Sequence, residues 1–301
     1  MNKFIQEVND KEIGNILENK LLKDYTTYRV GGVARVIIYP KSKDKLIELL
    51  KLINQYELDY KVLGNGSNVI FSDKLYDDVI IKLDELNELV INNNKMRVGA
   101  GYSLVKLAMK LSRLGYKGLE FATGIPGSVG GSIFMNAGAY NSDMANVVKE
   151  VLVITPALKI KKLTNKNLKF SYRDSFLKRN PNYICIEVSF ELEKGNVKDI
   201  MELIEDRKRR RLESQPLEYP SAGSVFRNPE GNYAGHLIEE CGLKGKKIGG
   251  AVVSKKHANF IVNEGNATGE DIKKLIYLVK YKVKDKYNIE LHVEQEFVNW
   301  E

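Results

Sequence analysis

Residues 124–140 read GIPGSVGGSIFMNAGAY, and five of these residues are glycine. Serines and alanines stand among the glycines, and Ile133, Phe134 and Met135 form a short apolar run. Glycine in a regular element costs about 0.5–1 kcal/mol relative to alanine, because it loses more backbone freedom on folding. A cluster of small residues with few charges is typical of a backbone that lies against another molecule. We expect this stretch to contact a large, flat, partly apolar ligand that carries phosphates.

A second glycine-bearing turn, LGNGSNVIF at residues 63–71, follows a predicted strand. Asn65 and Gly66 both tolerate positive φ, and successive backbone N–H groups beside Ser67 and Asn68 form a concavity suited to phosphate oxygens. On its own, such a turn is more often an ordinary chain reversal. Neither stretch matches GxxxxGK[ST] or a GxGxxG fingerprint between a strand and a helix. A flavin dinucleotide has the shape that the first stretch requires.

The composition is that of a globular protein: 43% of the 301 residues are hydrophobic and 29% are charged. No apolar run approaches the length of a membrane span, and the N-terminus lacks the pattern of a signal peptide. Cys185 and Cys241 lack CxxC spacing, and no His/Cys/Asp cluster has the spacing of a metal site. These features predict a cytoplasmic protein without a disulfide or metal framework, and Cys185, which alternates within YICIEV, is predicted to be a buried strand thiol.

The net charge of +8 suggests an anionic partner, either nucleic acid or a phosphorylated small molecule. The densest basic run is residues 207–211, at the end of an amphipathic segment with apolar residues at helical spacing. Cations complement the dipole at a helix C-terminus, so a solvated helix end explains the run about as well as a binding site does.

The order of segments predicts an α+β protein of three modules, residues 1–83, 84–195 and 196–301. The first 23 residues have a broadly helical pattern. A strand over 33–40, a helix capped by Ser42 and strands up to residue 83 follow as a βαβ-like unit.

The second module contains a hairpin around residues 92–94, a helix from Ser103 to a C-cap at Gly115, and alternating strands. The third begins with the basic helix. It continues with the helix NYAGHLIEECG, the strands AVVS and NFIVN, a helix from Thr268 to about Lys286, and a last strand over 289–298.

Five motifs in order, LGNGSNVIF, TGIPGSVGGSIFMNAGAY, FSYRDS, PSAGSVFRNP and KHANFIVN, closely resemble the UDP-N-acetylenolpyruvoylglucosamine reductase family, in its compact type II form. The resemblance extends from about Tyr28 to Glu294. It implies an FAD-binding fold of two α+β subdomains, shared with vanillyl-alcohol-oxidase-like flavin enzymes, and a C-terminal α+β substrate-binding domain. It also implies a cytoplasmic monomer that needs neither nucleic acid nor a membrane.

The family resemblance implies that NADPH reduces non-covalently bound FAD, which then reduces UDP-N-acetylglucosamine enolpyruvate to UDP-N-acetylmuramate for peptidoglycan synthesis. The cofactor-binding residues that it implies are Gly64, Asn65, Gly66, Ser67, Asn68, Thr123, Gly124, Ile125, Pro126, Gly127, Ser128, Gly130, Gly131, Ala137 and Gly138. The substrate-binding residues that it implies are Tyr172, Arg211, Gln215, Arg227 and Asn228.

Three residues resemble the catalytic set of the family. Arg173 matches the arginine for the substrate carboxylate, where a permanently charged guanidinium offers two donors. Ser224 matches the proton donor, at the expected start of a strand. Glu294, in the expected last strand, matches the catalytic glutamate. Glu296 shares its strand face, and the family usually continues with an apolar tail that contains a basic residue and ends in glycine, so a register shifted by two stays open.

Each assignment has a simpler alternative on spacing alone. Arg173 could be a surface arginine before a strand and Ser224 a turn residue or cap, whereas His257 and Asn259 are expected to be structural. Two other functions also stay open. An oxidase of the same flavin fold accounts for the glycine stretches but not for YRDS and GSVFRNP together. A nucleic-acid binder accounts for the positive charge and predicts a colourless protein with strongly salt-dependent affinity.

Overall fold

The computed structural model describes residues 1–300. Its α-helices are α1 (Asn2–Asp10), α2 (Lys43–Gln55), α3 (Leu104–Arg113), α4 (Val129–Met135), α5 (Asn165–Leu168), α6 (Phe176–Arg179), α7 (Val197–Ser214), α8 (Ala234–Glu240) and α9 (Gly269–Tyr287). Its strands are β1 (Gly14–Leu21), β2 (Val33–Pro40), β3 (Tyr60–Val62), β4 (Val69–Phe71), β5 (Tyr76–Ile81), β6 (Leu89–Asn92), β7 (Lys95–Gly99), β8 (Gly138–Ala139), β9 (Ser142–Asp143), β10 (Val148–Ile154), β11 (Ile160–Thr164), β12 (Ile184–Glu191), β13 (Lys247–Ile248), β14 (Ala251–Val253), β15 (Ile261–Asn263) and β16 (Glu296–Val298).

The chain forms two compact units, and neither is continuous in sequence. The first unit comprises Met1–Glu18, Val36–Asn65 and Asp78–Lys208, and the second comprises Asn19–Arg35, Gly66–Asp77 and Arg209–Glu301. The division into residues 1–83, 84–195 and 196–301 stays a prediction, since the units group residues by contact rather than by order along the chain.

Antiparallel pairing dominates the first unit. Its five-stranded sheet has the order β11-β10-β12-β7-β6. The predicted hairpin is confirmed as β6 and β7, and Asn93 adopts a φ of 52° in its two-residue turn. A four-stranded sheet has the order β1-β2-β5-β3, in which β3 and β5 pair in parallel. The helix α2 joins β2 to β3, and β5 lies between these two strands of the predicted βαβ-like unit. Phe121, Phe190 and Leu107 are among the fully buried side chains of this unit's core.

The second unit has its own core and smaller sheets. The order β13-β14-β15 is antiparallel, whereas β4 pairs in parallel with β16. Tyr28, Phe226 and Ile272 are buried in its core. The mixture of helices with parallel and antiparallel sheets confirms the α+β class.

The predicted helix starts are confirmed by side-chain caps. The Oγ atoms of Ser42 and Ser103 accept hydrogen bonds from backbone N–H groups in the first turns of α2 and α3, and Thr268 forms a capping box with Asp271 at α9. Each cap satisfies N–H groups that have no partner within the helix. The C-cap of α3 is Leu114, one residue before the predicted Gly115, which follows it with a φ of 78°.

Two predicted elements are wrong in extent. The first 23 residues are not helical throughout, because α1 ends at Asp10 and residues 14–21 form a strand at the edge of the four-stranded sheet. Pairing with the sheet outweighs the weak helical spacing there. The last strand spans only Glu296–Val298, so Glu294 precedes it, and Val293 forms a single bridge with Phe226.

Candidate active site

The two glycine-bearing stretches contact each other in the first unit. A Cβ atom added to Gly64 would lie 2.6 Å from the Oγ atom of Ser128, closer than real Cβ atoms approach a neighbour. Ser128 caps α4, and its Oγ accepts a hydrogen bond from the Gly131 N–H at 3.2 Å. Glycine at position 64 therefore lets the loop after β3 lie directly against the start of the glycine-rich helix.

Close packing within the chain explains several of the glycines. Added Cβ atoms would lie 2.9 Å from the Ala100 Cβ at Gly130, 2.5 Å from the Ser142 carbonyl oxygen at Gly138, and 2.1 Å from the Tyr25 carbonyl oxygen at Gly66. At Gly66, Gly130 and Gly138, neighbouring atoms of the chain itself therefore exclude a side chain. Their contact with a cofactor stays a prediction, and the ligand would meet the backbone from another side.

Residues 129–135 form a short helix rather than a loop, and the protein itself binds its first N–H groups. The N–H of Val129 donates to the Tyr102 carbonyl at 2.8 Å, and the N–H of Gly130 donates to the Ala100 carbonyl at 2.8 Å. A phosphate at this helix start would have to displace those carbonyls. The turn over residues 64–68 is therefore the better candidate for a phosphate cradle.

Lys82 is a residue that the sequence reasoning missed. Its Nζ donates to the Gly64 carbonyl at 2.7 Å and lies 3.3 Å from an Asp84 carboxylate oxygen. Only 6% of Lys82 is exposed, although a buried amine is costly unless it is paired. In the sequence, a lysine directly after the apolar end of β5 was the signal that could have indicated a buried amine. In the structure, Lys82 fixes the start of the 64–68 turn.

Arg173 occupies a strained two-residue turn. The backbones of Ser171 and Asp174 exchange hydrogen bonds of 3.1 Å, and Arg173 between them adopts a φ of 55°. The left-handed region costs a non-glycine residue about 1–2 kcal/mol, and such strain is concentrated at functional sites. The turn leads into α6 rather than into a strand, so the simpler alternative of an arginine before a strand is wrong.

The Arg173 side chain contacts Gly138 and Tyr172. Its Nη2 donates to the Gly138 carbonyl at 2.7 Å, and its Cζ lies 5.2 Å from the centroid of the Tyr172 ring, which confirms the expected packing. The first unit thus brings Arg173 to the end of the predicted cofactor stretch.

Asn136, a second residue that the sequence reasoning missed, connects the end of α4 to the turn that carries Arg173. It ends α4 with a φ of 44° and is 1% exposed. Its Nδ2 donates to the Asp143 carboxylate at 3.0 Å and to the Ser171 carbonyl at 2.9 Å, while its Oδ1 accepts from the Ala145 N–H at 3.0 Å. The signal in the sequence was an asparagine at a helix end, where a left-handed residue is common.

The second unit brings Ser224, Glu294 and Asn68 together. The Glu294 N–H donates to the Val225 carbonyl at 2.8 Å, directly after Ser224, and the Glu294 carbonyl accepts from the Asn68 Nδ2 at 3.3 Å. The Glu296 N–H donates to the backbone carbonyl of Asn68 at 2.9 Å. Glu294 therefore pairs with the backbone directly after Ser224, whereas Glu296 does not, and the choice between the two glutamates stays a prediction.

Ser224 lies in an irregular segment, so its expected position at a strand start is wrong. Gly223 before it has a φ of 73°, and Phe226 after it forms only the single bridge to Val293. Asn259 holds this segment, because its Oδ1 accepts from the Phe226 N–H at 3.0 Å and its Nδ2 donates to the Phe226 carbonyl at 2.8 Å.

His257 has the structural role expected of it. Its Nδ1 accepts from the Asn259 N–H at 3.2 Å, and its ring lies 4.9 Å from that of Phe260. Burial lowers the pKa of His257, and Lys244 lowers it further, while a backbone contact and Glu239 raise it. A neutral imidazole is therefore favoured in the folded protein.

The predicted substrate-binding residues of the second unit occupy two places. Arg211 and Gln215 lie one turn apart at the end of α7, where the Gln215 N–H donates to the Arg211 carbonyl at 2.9 Å. Arg227 follows the Ser224 segment, and the Asn228 Oδ1 accepts from the Ala234 N–H at the start of α8 at 3.1 Å. The Gln215 Oε1 is buried without a hydrogen-bond partner among residues 1–300, which leaves an acceptor for a ligand N–H.

The described residues also show the state of the two cysteines. Cys185 and Cys241 are both free, and burial raises the pKa of the Cys185 thiol to about 12, so it is the expected inert strand thiol. Within residues 1–300, no group of three or more His, Cys, Asp or Glu side chains is placed to hold a metal ion. None of the helices in this range combines the length and apolar character needed to cross a bilayer.

Comparison with known proteins identifies the family of this chain. Residues 34–164 match the family model "FAD binding domain", and residues 215–298 match "UDP-N-acetylenolpyruvoylglucosamine reductase, C-terminal domain". UDP-N-acetylenolpyruvoylglucosamine reductase 1 of Bacillus cereus is 44% identical over 299 residues, which cover 99% of each chain. The chain belongs to the UDP-N-acetylenolpyruvoylglucosamine reductase family.

A solved structure of this reductase family agrees with the fold. The UDP-N-acetylenolpyruvylglucosamine reductase of Thermus caldophilus superposes with a TM-score of 0.81 at 35% identity, covering 94% of this chain and 99% of that one. The Bacillus subtilis reductase is 42% identical over 299 residues, again 99% of each chain. These matches confirm the resemblance drawn from the five motifs, the FAD-binding fold and its C-terminal domain.

Proposed function

We propose that this chain is a cytoplasmic, monomeric flavoenzyme that uses NADPH to reduce UDP-N-acetylglucosamine enolpyruvate to UDP-N-acetylmuramate, a step of peptidoglycan synthesis. The observation that carries the proposal is the hydrogen bond from the Glu294 N–H to the Val225 carbonyl at 2.8 Å. This backbone bond is formed at the residue directly after Ser224, and it supports the assignment of Ser224 and Glu294 to one site in the second unit.

The residues of the first unit fit FAD. Gly64, at the start of one glycine-bearing stretch, lies directly against Ser128 of the other. Lys82 fixes the Gly64 carbonyl from inside the protein. We assign non-covalent FAD to the two stretches of residues 64–68 and 123–138. When bound, FAD would accept hydride from NADPH and supply it to the terminal carbon of the enolpyruvyl ether.

Arg173 binds and polarises the substrate carboxylate in this proposal. As hydride arrives at the terminal carbon, negative charge builds on the carboxylate conjugated to it, and a fixed guanidinium stabilises that charge more in the transition state than in the ground state. Arg173 is pre-oriented by its bonds within the first unit, so little reorganisation is needed. Glu294 acts on the same carboxylate.

Ser224 completes the reduction by giving a proton to the carbon next to the carboxylate. A hydroxyl is neutral at working pH and can deliver a proton over a short distance if its position is fixed. Backbone bonds to Asn259 and Glu294 hold the segment around it. Arg211, Arg227 and Asn228 are assigned to the sugar nucleotide together with Tyr172, and the buried Gln215 Oε1 is available to accept the uracil N–H.

The visible spectrum of the purified protein tests the proposal. Flavin absorption in the blue region of the visible spectrum should bleach with NADPH under anaerobic conditions. It should return when the enolpyruvyl nucleotide is added. Mass spectrometry should then show a product that has gained two hydrogen atoms. UDP-N-acetylglucosamine, which lacks the double bond, is the matched control and should leave the sample bleached. A colourless protein, or a bleached sample that only oxygen restores, would contradict the proposal.

Paired glutamate variants test the register at the C-terminus. Glu294→Gln should slow the return of colour by at least about 100-fold, since general acid–base groups contribute about 10²–10⁴-fold. Glu296→Gln alters the neighbouring glutamate of β16 and should keep the rate within about threefold. The opposite ranking would move the assignment to Glu296.

A further inference from the structure

Gln295, directly after Glu294, is not among the residues that the family motifs indicate. It is 4% exposed, whereas Glu294 is half-buried. Consecutive side chains of an extended segment point to opposite sides. The Gln295 side chain therefore points into the protein, on the side opposite to the Glu294 side chain, which is assigned to the substrate.

The amide of Gln295 reaches the backbone that carries Ser224. Its Nε2 donates to the Ala222 carbonyl at 3.0 Å and lies 3.5 Å from the carbonyls of Gly223 and Ser224. Three successive carbonyls thus surround one NH₂ group. With Asn259 holding Phe226, the Ser224 segment is anchored on both sides of the serine.

A buried tyrosine fixes the orientation of this amide. The Tyr28 hydroxyl donates to the Gln295 Oε1 at 3.1 Å, and Tyr28 is fully buried. Burial raises the pKa of Tyr28, so its hydroxyl stays protonated and remains a donor. A flipped amide would direct Oε1 at three carbonyl oxygens, so only one orientation satisfies the network.

The anchored segment needs such a support. Gly223 adopts a φ of 73° and has no side chain to hold the turn, and nothing beyond its two chain neighbours lies within 4 Å of its Cβ position. Glycine is also the residue with the most backbone freedom to lose. A small rotation at Gly223 would displace the Ser224 hydroxyl, and displacements of about 1 Å can cost about 100-fold in rate.

We propose that Gln295 is a positioning residue for protonation: its amide N–H groups hold the Ala222–Ser224 backbone so that the Ser224 hydroxyl faces the substrate carbon. This inference rests on the proposed function and adds to it a residue that does not touch the substrate. It predicts that proton delivery depends on a donor at position 295, beyond any effect on folding.

Gln295→Glu tests the proposal, because it keeps the size and shape of the side chain but loses the donors when ionised. At pH 7.5, single-turnover return of flavin absorption with the enolpyruvyl nucleotide should be slowed by at least about tenfold, while bleaching by NADPH stays within about twofold of wild type. As pH falls towards 5.5, the protonated Glu side chain regains one donor, and the rate relative to wild type should rise. Gln295→Met, similar in size but without any donor, should be slow at both pH values.

A second readout does not use activity. Burial and the three carbonyls should raise the pKa of a glutamate at position 295 above its unfolded value of about 4.3. The urea midpoint of apo Gln295→Glu, followed by Trp300 fluorescence, should therefore fall relative to wild type as pH rises from about 4.3 through that raised pKa. Thr268→Ala, which removes the cap of α9 in the same unit, should lower the midpoint without changing either rate.

The outcomes separate this inference from the proposed function. If wild type turns over and Gln295→Glu matches it at pH 7.5, or is slow without recovery in acid, Gln295 does not position the serine. If wild type fails to bleach or to recover its colour, the proposed function is wrong. In that case the urea midpoint of Gln295→Glu still tests the inference. If its pH dependence equals that of wild type, Gln295 does not support the Ser224 segment.

Discussion

The support of the Ser224 segment by Asn259 can be tested quantitatively with Asn259→Ala. The side-chain amide satisfies both backbone groups of Phe226, which is 2% exposed. Its removal leaves a buried N–H and a buried C=O without partners. At about 1.5 kcal/mol for each group, the free energy of unfolding should fall by about 3 kcal/mol.

Urea titration of the apoprotein measures this loss. Trp300 is the only tryptophan of the sequence and lies in the second unit with Asn259, so its fluorescence reports unfolding where the change is made. With a slope of about 2 kcal/mol per molar urea, the midpoint should fall by about 1.5 M at unchanged slope. Asn232→Ala, which changes an exposed asparagine of the same unit, is the matched control and should shift the midpoint by less than about 0.3 M.

Asn259→Asp refines the test, because it keeps the oxygen that accepts from the Phe226 N–H but directs a second oxygen at the Phe226 carbonyl. Burial should raise the pKa of this aspartate above its unfolded value of about 3.9, so its stability should decrease as pH rises through the raised pKa. A midpoint for Asn259→Ala within about 0.3 M of wild type would show that Phe226 finds other partners, and would refute the reasoning.

Four further predictions follow from the site. Ser224→Ala should leave bleaching by NADPH intact and slow the return of colour by at least about 100-fold; loss of NADPH oxidation would overturn the assignment. Arg173→Lys should reduce turnover strongly, since a point charge cannot replace the two donors of a guanidinium, and near-normal kcat would remove Arg173 from the mechanism. Gly66→Ala should destabilise the protein by more than about 1–2 kcal/mol, because its Cβ would lie 2.1 Å from the Tyr25 carbonyl at a φ of 63°; an unchanged urea midpoint would contradict this packing. Burial lowers the pKa of His257, so stability present above pH about 6.5 should be lost as pH falls through the lowered value; His257→Gln should lack that loss, and identical pH profiles would exclude the histidine as its cause.

Local patterns were enough to predict most elements. Apolar residues at helical spacing behind Ser42, Ser103 and Thr268 indicated α2, α3 and α9, because a capping side chain and the first turn it satisfies are close in sequence. Alternation indicated β10 and β12 for the same reason. The family was predicted from five motifs, since each carries its residues within a short segment.

Long-range pairing was not readable in this way. Residues 14–21 form a strand because a neighbouring strand is available to pair with them, and Glu294 stands before β16 because β4 pairs only with residues 296–298. The packing that excludes a side chain at Gly66 and Gly130 was not readable either, because the crowding atoms belong to Tyr25 and Ala100, which are distant in sequence.

The sequence by itself determined the α+β class, the family and the residue types of a reductive site, because these depend on composition, periodicity and contiguous motifs. Only the tertiary structure decided that Lys82 supports Gly64, that Asn136 connects α4 to the Arg173 turn, and that Gln295 lies behind Ser224. Each of these is a buried polar group paired with backbone far away along the chain. Such pairing is set by the packing of whole elements, and no spacing along the chain encodes it.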